Sequence, residues 1–340
     1  MRRILIPVVL VLITVVPPRI GAQAVRPLEI HFIDVEGGQA TLFVLPTGES
    51  LLVDTGFPGD NGRDADRIAA AAKRAGLSKI DTLVVTHYHA DHVGGVPALK
   101  ERLPIAKFVD HGPTVEKGEA PDALYNGYVA LRDKGQHVVA RPGESVRAGD
   151  LEVRFLSAAG STVSKALDGA GAPNPLCAGY APKDPDPTEN AQSVGMLLTY
   201  GRFRMLDLGD LTWNKEHDLA CPNNLIGTVD LYLTTHHGLN VSGLPALVHA
   251  VHPRVAIMNN GARKGGTPEA WTIVRASPGL EDFWQLHYAA ASDAAHNVPE
   301  AFIANMDETT GYEISAAVQR DGTFTVTNAR NNQSRTYKPR

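Results

Sequence analysis

The stretch VVTHYHADHVGG, Val84 to Gly95, places three histidines and one aspartate within six positions. His87, His89, Asp91 and His92 follow an apolar run and precede two glycines. His87 and His89 alternate, so on an extended segment they project to one side. Asp91 and His92 come after the chain turns, and Gly94-Gly95 lets the backbone approach a neighbour closely. Two imidazoles followed by a carboxylate–imidazole pair can serve two adjacent metal ions. A polar surface loop is the alternative reading, and ligands elsewhere in the chain decide between them.

A metal pair needs a bridging anion. The best candidate is Asp210 in MLDLGDLTW, which ends an apolar strand and follows a glycine. A final imidazole is offered by DLYLTTHHGLN, where His236 and His237 also end an apolar strand. Ligands at three strand ends converge if those strands share a sheet edge.

The surrounding chain reads as α/β. LEIHFIDV alternates as a strand does, and ATLFVLP and SLLVDTG continue as a meander around a Thr-Gly turn. Asp64 to Leu77 is helical, with Asp64 as N-cap and Gly76 as its stop. IDTLVVTH is a buried strand, VPALKERL a helix and AKFVDHG another strand. Residues 137–160 then read as three short strands. Leu167 to Asn190, rich in Pro, Gly and Asp, is a long loop of the kind that serves as a lid or is locally disordered. SVGMLLTYGRFRMLDLGD is a hairpin with a Tyr-Gly turn. The C-terminus reads as two strands joined at Asp321-Gly322.

Taken in order, VDTG (Asp54), HYHADH, LGD (Asp210) and THHG resemble the metallo-β-lactamase superfamily over roughly Leu28 to Gly266. Within it, the opening IDVEGGQA and the HHG segment are most similar to the ComEC-type competence hydrolase domain and to phosphorylcholine esterases. The resemblance implies an αββα sandwich, two mixed β-sheets flanked by helices, as a single domain over 25–340 with a C-terminal helix and hairpin extension. It implies one metal on His87, His89 and Asp210, and another on Asp91, His92, Asp210 and His237, with Asp210 bridging. Zinc suits imidazole and carboxylate together, and manganese or iron are the alternatives. A bridging hydroxide is the implied nucleophile. Asp91 and His236 are the candidate catalytic side chains, His236 beside the metals on the substrate side, and Asp54 is a hydrogen-bond partner rather than a ligand.

One departure bears on substrate. Many members carry another metal-binding histidine in a turn after the mid-chain strand. Here Ser157 to Ser161 contain none, as in the ComEC-like and phosphorylcholine-esterase groups. The first metal then keeps an open position that can take a phosphate oxygen. This counts against a β-lactamase or a thioesterase of the glyoxalase type, and leaves a lactonase open.

Other features bound the reading. The net charge of −5 gives no global field favouring nucleic acid or anionic membrane. MRR, the apolar Ile4 to Val16 and the Ala22-Gln23-Ala24 pattern read as a secretory signal peptide over 1–24. The expected location is therefore secreted or periplasmic, without a membrane span after cleavage. In an oxidising compartment Cys177 and Cys221 are candidates for a disulfide, with two buried thiols as the alternative. His111 ends a strand and is a candidate to face the site. His287 and His296 read as structural, and His31, His137, His217, His249 and His252 have no partner motif. Arg263 and Lys264 stand either as anion-binding residues or as a solvated loop.

The expected activity is an exported dinuclear hydrolase of phosphoester or phosphodiester bonds, acting on a small-molecule or envelope-derived ester. The alternatives are a lactone or amide (including β-lactam) hydrolase and a non-catalytic metal-binding protein of the same fold.

Overall fold

Leu28, Ile30 and Phe32 are buried and alternate with half-buried Glu29 and His31, so β1 (Leu28–Phe32) turns one apolar face to the core. The structure, a computed structural model, describes residues 26–339. The signal-peptide reading at 1–24 lies outside the described residues. The chain continues through β2 (Thr41–Val44), β3 (Ser50–Val53), α1 (Arg63–Arg74), β4 (Ile80–Val84), α2 (Ala90–Val93), α3 (Val96–Arg102), β5 (Ile105–Asp110), α4 (Glu119–Arg132) and β6 (Gln136–Val139). Next come β7 (Ser145–Ala148), β8 (Leu151–Ala158), β9 (Ser161–Thr162), β10 (Gly195–Tyr200), β11 (Phe203–Asp207), α5 (Trp213–Ala220) and β12 (Leu231–Leu233). The remainder is α6 (Pro245–Ala250), β13 (Val255–Met258), α7 (Pro268–Arg275), β14 (Asp282–His287), β15 (Ile303–Asn305), β16 (Ile314–Val318), β17 (Phe324–Asn328) and β18 (Ser334–Tyr337).

Two mixed sheets result. The first runs β18-β17-β16-β1-β2-β3-β4-β5-β6, and the second β15-β14-β13-β12-β11-β10-β8-β7 with β9 beside β8. Each is antiparallel on one side and parallel on the other, the change falling at β3 in the first and β11 in the second. Their inner faces meet in one core of Phe32, Val84, Phe155, Met196, Met205, Ile257 and Trp284. A second apolar layer sets Ile68, Leu99 and Tyr128 of α1, α3 and α4 against Leu52, Leu83 and Phe108 of the first sheet. A third sets Leu219, Leu247 and Val274 of α5, α6 and α7 against Leu206, Tyr232 and Ala256 of the second. Covered on both faces, β12 and β13 are buried throughout, as parallel strands between helices are. Two mixed sheets packed face to face with helices on both outer sides make an αββα sandwich.

Four readings need amendment. Asp64 is not the N-cap of α1. Gly62 stands there with φ 80°, while the Asp64 carboxylate accepts from Phe57 N at 2.8 Å and from Arg63 Nε at 2.7 Å. Helix α4 was not expected, because Pro121 and Gly127 interrupt its pattern; Pro121 stands in the first turn, where no helical N–H is needed. The three strands of 137–160 divide between sheets, β6 in the first and β7 and β8 in the second. The C-terminus has a third strand, β18, and its hairpin extends the first sheet by pairing β16 with β1. Cys177 and Cys221 are joined as a disulfide that ties the long loop to the end of α5. No helix among the described residues is long and apolar enough to cross a membrane.

Candidate metal centre

The parallel halves of both sheets end at the same edge, where α/β sheets place their sites. Asp54 follows β3, the histidine cluster follows β4, Asp210 follows β11, and His236 and His237 follow β12. Two glycines make the close approach possible. A Cβ on Gly95 would stand 2.0 Å from Thr55 O, and one on Gly209, at φ 55°, would stand 2.9 Å from Thr86 Cβ. Asp54, His236 and His237 all hold left-handed backbone, at φ 59°, 55° and 54°. Such conformations are costly for residues with a Cβ and collect at functional sites.

Asp91, His92, Asp210 and His237 bring four buried ligand atoms within 4.8 Å of one another. His92 Nε2 lies 3.2 Å from His237 Nε2, 3.2 Å from Asp91 Oδ2 and 3.2 Å from Asp210 Oδ2. His237 Nε2 lies 3.2 Å from Asp91 Oδ2 and 3.3 Å from Asp210 Oδ1. A tetrahedral ion with bonds of ~2.0 Å spaces its ligands about 3.3 Å apart. The donor set fits such an ion.

Proton placement supports the same conclusion. Asp54 Oδ2 accepts from His92 Nδ1 at 2.7 Å, which leaves His92 Nε2 as a lone pair in the neutral ring. Thr86 Oγ1 donates to Asp54 at 2.7 Å, so its oxygen accepts from His87 Nδ1 at 3.1 Å and frees His87 Nε2. A carboxylate oxygen of Glu116 accepts from His89 Nε2 at 3.0 Å and frees His89 Nδ1. His87 Nε2 and His89 Nδ1 then face each other at 3.1 Å as two lone pairs. Lone pairs so arranged call for a cation.

In the metal-free cluster the carboxylates and His92 compensate one another's charge. Burial alone would raise Asp210, but His237, His92 and His236 outweigh it and hold the carboxyl well below the usual range. Burial opposes charge on His92, yet Asp210, Asp91 and Asp54 push it well above the usual histidine value, so without a cation the ring keeps on Nε2 a proton that a bound ion would displace. Burial and the neighbouring His92 keep His87 well below its ordinary value.

His236 is buried beside the four converging residues. Ser242 Oγ donates to Leu211 O at 2.8 Å and so accepts from His236 Nδ1 at 3.2 Å. His236 Nε2, 3.2 Å from Asp210 Oδ2, is left free, and burial lowers the imidazole to about 4. The Lys264 ammonium contacts Asp91 Oδ2 and lies 5.4 Å from the centre of the Phe57 ring. Arg263 points away and pairs with Glu308 at 2.8 Å. The two residues therefore divide: Lys264 reaches the site and Arg263 does not.

His111 stands behind the site, its Nε2 2.8 Å from buried Glu189. His287 is buried against Asp34 at 2.7 Å and, with Glu36, forms a second close group that Arg67 also neutralises. His296 pairs locally with Asp293. Ser157, where a further histidine ligand was absent, ties two strands instead: its Oγ donates to Ser193 O and accepts from Gly195 N. Behind the ligands, burial raises Asp207 to about 7, with the Asp54 charge adding to it and Gly209 N–H and Gln39 opposing. Sequence reasoning missed Glu116 and Glu189, lone acidic residues of polar segments without a spacing to mark them.

Residues 33–170 match the family profile described as the metallo-beta-lactamase superfamily. This span holds Asp54, His87, His89, Asp91 and His92; Asp210, His236 and His237 lie beyond it. The chain is similar to a hydroxyacylglutathione hydrolase of Stenotrophomonas maltophilia, 34% identical over 114 residues, which cover 30% of this chain and 41% of that one. It is also similar to the probable metallo-hydrolase YqgX of Bacillus subtilis, 28% identical over 117 residues, covering 34% of this chain and 50% of the other. The chain thus spans about half the length, or less, of these relatives. Among solved structures, the metallo-beta-lactamase fold protein YhfI of Bacillus subtilis aligns over 76% of this chain and 96% of its own, at 12% identity and a TM-score of 0.45.

Proposed function

We propose that this chain, a metallo-β-lactamase superfamily hydrolase, acts outside the cytoplasm as a dinuclear phosphoesterase on small or envelope-derived phosphoesters. The observation that carries the reading is the convergence of Asp91, His92, Asp210 and His237, with the His87–His89 pair beside it and His87 Nε2 4.0 Å from Asp210 Oδ2. His87, His89 and Asp210 would hold one ion, and Asp91, His92, Asp210 and His237 the other. When bound, the ions supply Lewis acidity at phosphorus and acidify water.

The protein's own groups do the rest. Lys264 stands beside Asp91 with its side chain 34% exposed, placed to receive an anionic oxygen of the substrate. His236 is neutral at pH 7 with its Nε2 beside Asp210, where it would take a proton from water and return it to the leaving oxygen. Asp54 and Thr86 fix the rings of His92 and His87. The resemblance of IDVEGGQA and HHG to ComEC-type and phosphorylcholine-esterase sequences favours phosphorus over carbon as the reacting centre, as does the missing histidine at 157–161.

A second reading, thioester hydrolysis, is favoured by the similarity to hydroxyacylglutathione hydrolases. Rates of the purified, zinc- or manganese-loaded protein on a phosphodiester, a glutathione thioester, a lactone and a cephalosporin separate the readings. The phosphodiester is expected to be turned over fastest. Preference for the thioester would replace the reading with the second one, and no turnover of any would leave a metal-binding protein.

A further inference from the structure

We infer that Glu116 is the positioning residue that makes His89 a ligand, and that the two ion positions are unequal because one of them depends on it. The inference rests on the dinuclear reading above.

The two positions differ in how they are built. Asp91, His92, Asp210 and His237 are all buried and held within one tight group. His89 is the outermost of the six, with 30% of its side chain exposed. Its ring contacts the site through His87, Nδ1 to Nε2 at 3.1 Å, and its other nitrogen is held by Glu116 at 3.0 Å. A ring at that exposure is free to turn or to carry its proton on either nitrogen unless a partner forbids it. A carboxylate only accepts, so Glu116 keeps the proton on Nε2 and the lone pair on Nδ1, and makes that nitrogen more basic.

Glu116 is itself fixed. The oxygen that meets His89 also accepts from Glu189 N at 3.2 Å. The Glu189 carboxylate, 1% exposed, accepts in turn from Thr114 Oγ1 at 2.8 Å, Val115 N at 2.7 Å and His111 Nε2 at 2.8 Å. Residues 111–116, which follow β5, are thereby stitched to the turn at 188–190 that ends the long loop. The arrangement supports His89 from outside, at the position that lacks the further histidine.

Zinc affinities of the metal-depleted full chain, Glu116→Ala and Glu116→Gln, measured by competition with a chromophoric chelator, test this. Nitrogen-15 NMR of the histidine rings reports the His89 tautomer in the same samples. Wild type should bind two zinc ions unequally. Glu116→Ala should weaken only the weaker ion, by about 10–100-fold, and let His89 sample both tautomers. Glu116→Gln, which keeps an accepting oxygen, should fall between. Two ions bound by wild type with both affinities unchanged in Glu116→Ala, or weakened equally, would overturn the inference and leave the dinuclear reading standing. A wild type that binds no more than one ion would overturn both.

Discussion

Asp54 Oδ2 lies 2.7 Å from His92 Nδ1, and neither side chain has any exposed surface. The pair turns His92 Nε2 toward Asp91, Asp210 and His237. Asp54→Asn tolerates the left-handed backbone at φ 59° but removes the charge. Zinc affinity of the Asp91–His92–His237 position should drop about 10–100-fold, with the circular dichroism spectrum retained. Wild-type affinity in this variant would show that the pair serves folding alone.

His236 and His237 are adjacent but serve different partners. His237 Nε2 is one of the four converging atoms, whereas His236 is held through Ser242 beside them. His237→Ala should lower both metal content and rate. His236→Ala should keep its metals and slow turnover up to ~10²–10⁴-fold, most for poor leaving groups. Metal loss from the His236 variant with retention in the His237 variant would reverse the roles. Asp210→Ala should cost more activity than any single histidine variant, since Asp210 faces both groups.

Asp207 carries a pH signature in stability. Its folded value of about 7 lies above the usual 3.8, so the native state holds a proton that the unfolded chain has released between those values. Its contribution is present in full below about pH 4 and is lost as pH rises through about 7. The stability of wild type relative to Asp207→Asn should therefore fall over that window, by up to about 4 kcal/mol for a shift of three units. Denaturant unfolding of both metal-free proteins at matched pH measures the difference, and a flat or rising difference would refute it.

The candidate ligands were legible because metal chemistry confines residue type and spacing. HYHADH is local, and Asp210 and the THHG pair each end an apolar run that reads as a strand. Gly76, at φ 78°, follows the end of α1, and the Tyr-Gly and Asp321-Gly322 turns close the expected hairpins, because positive φ is a local demand. Helix α4 was hidden by Pro121 and Gly127, and its placement comes from Tyr128 packing against Phe108 rather than from propensity. β18 is mostly exposed and earns its place by pairing with β17. Glu116 and Glu189 were illegible for a different reason: they are 73 positions apart and meet only because β5 and the long loop end on the same edge. Lys264 and Arg263 are neighbours of equal charge, and only the fold turns one inward.

Metal stoichiometry tests most directly whether two ions are held around Asp210, as proposed. Elemental analysis of the purified protein, before and after zinc reconstitution and removal of loosely bound metal, should approach two equivalents per chain after reconstitution. The same measurement on Asp210→Ala should show well under one. Wild-type protein with well under one equivalent after reconstitution, or an Asp210 variant that keeps its full complement, would contradict the account.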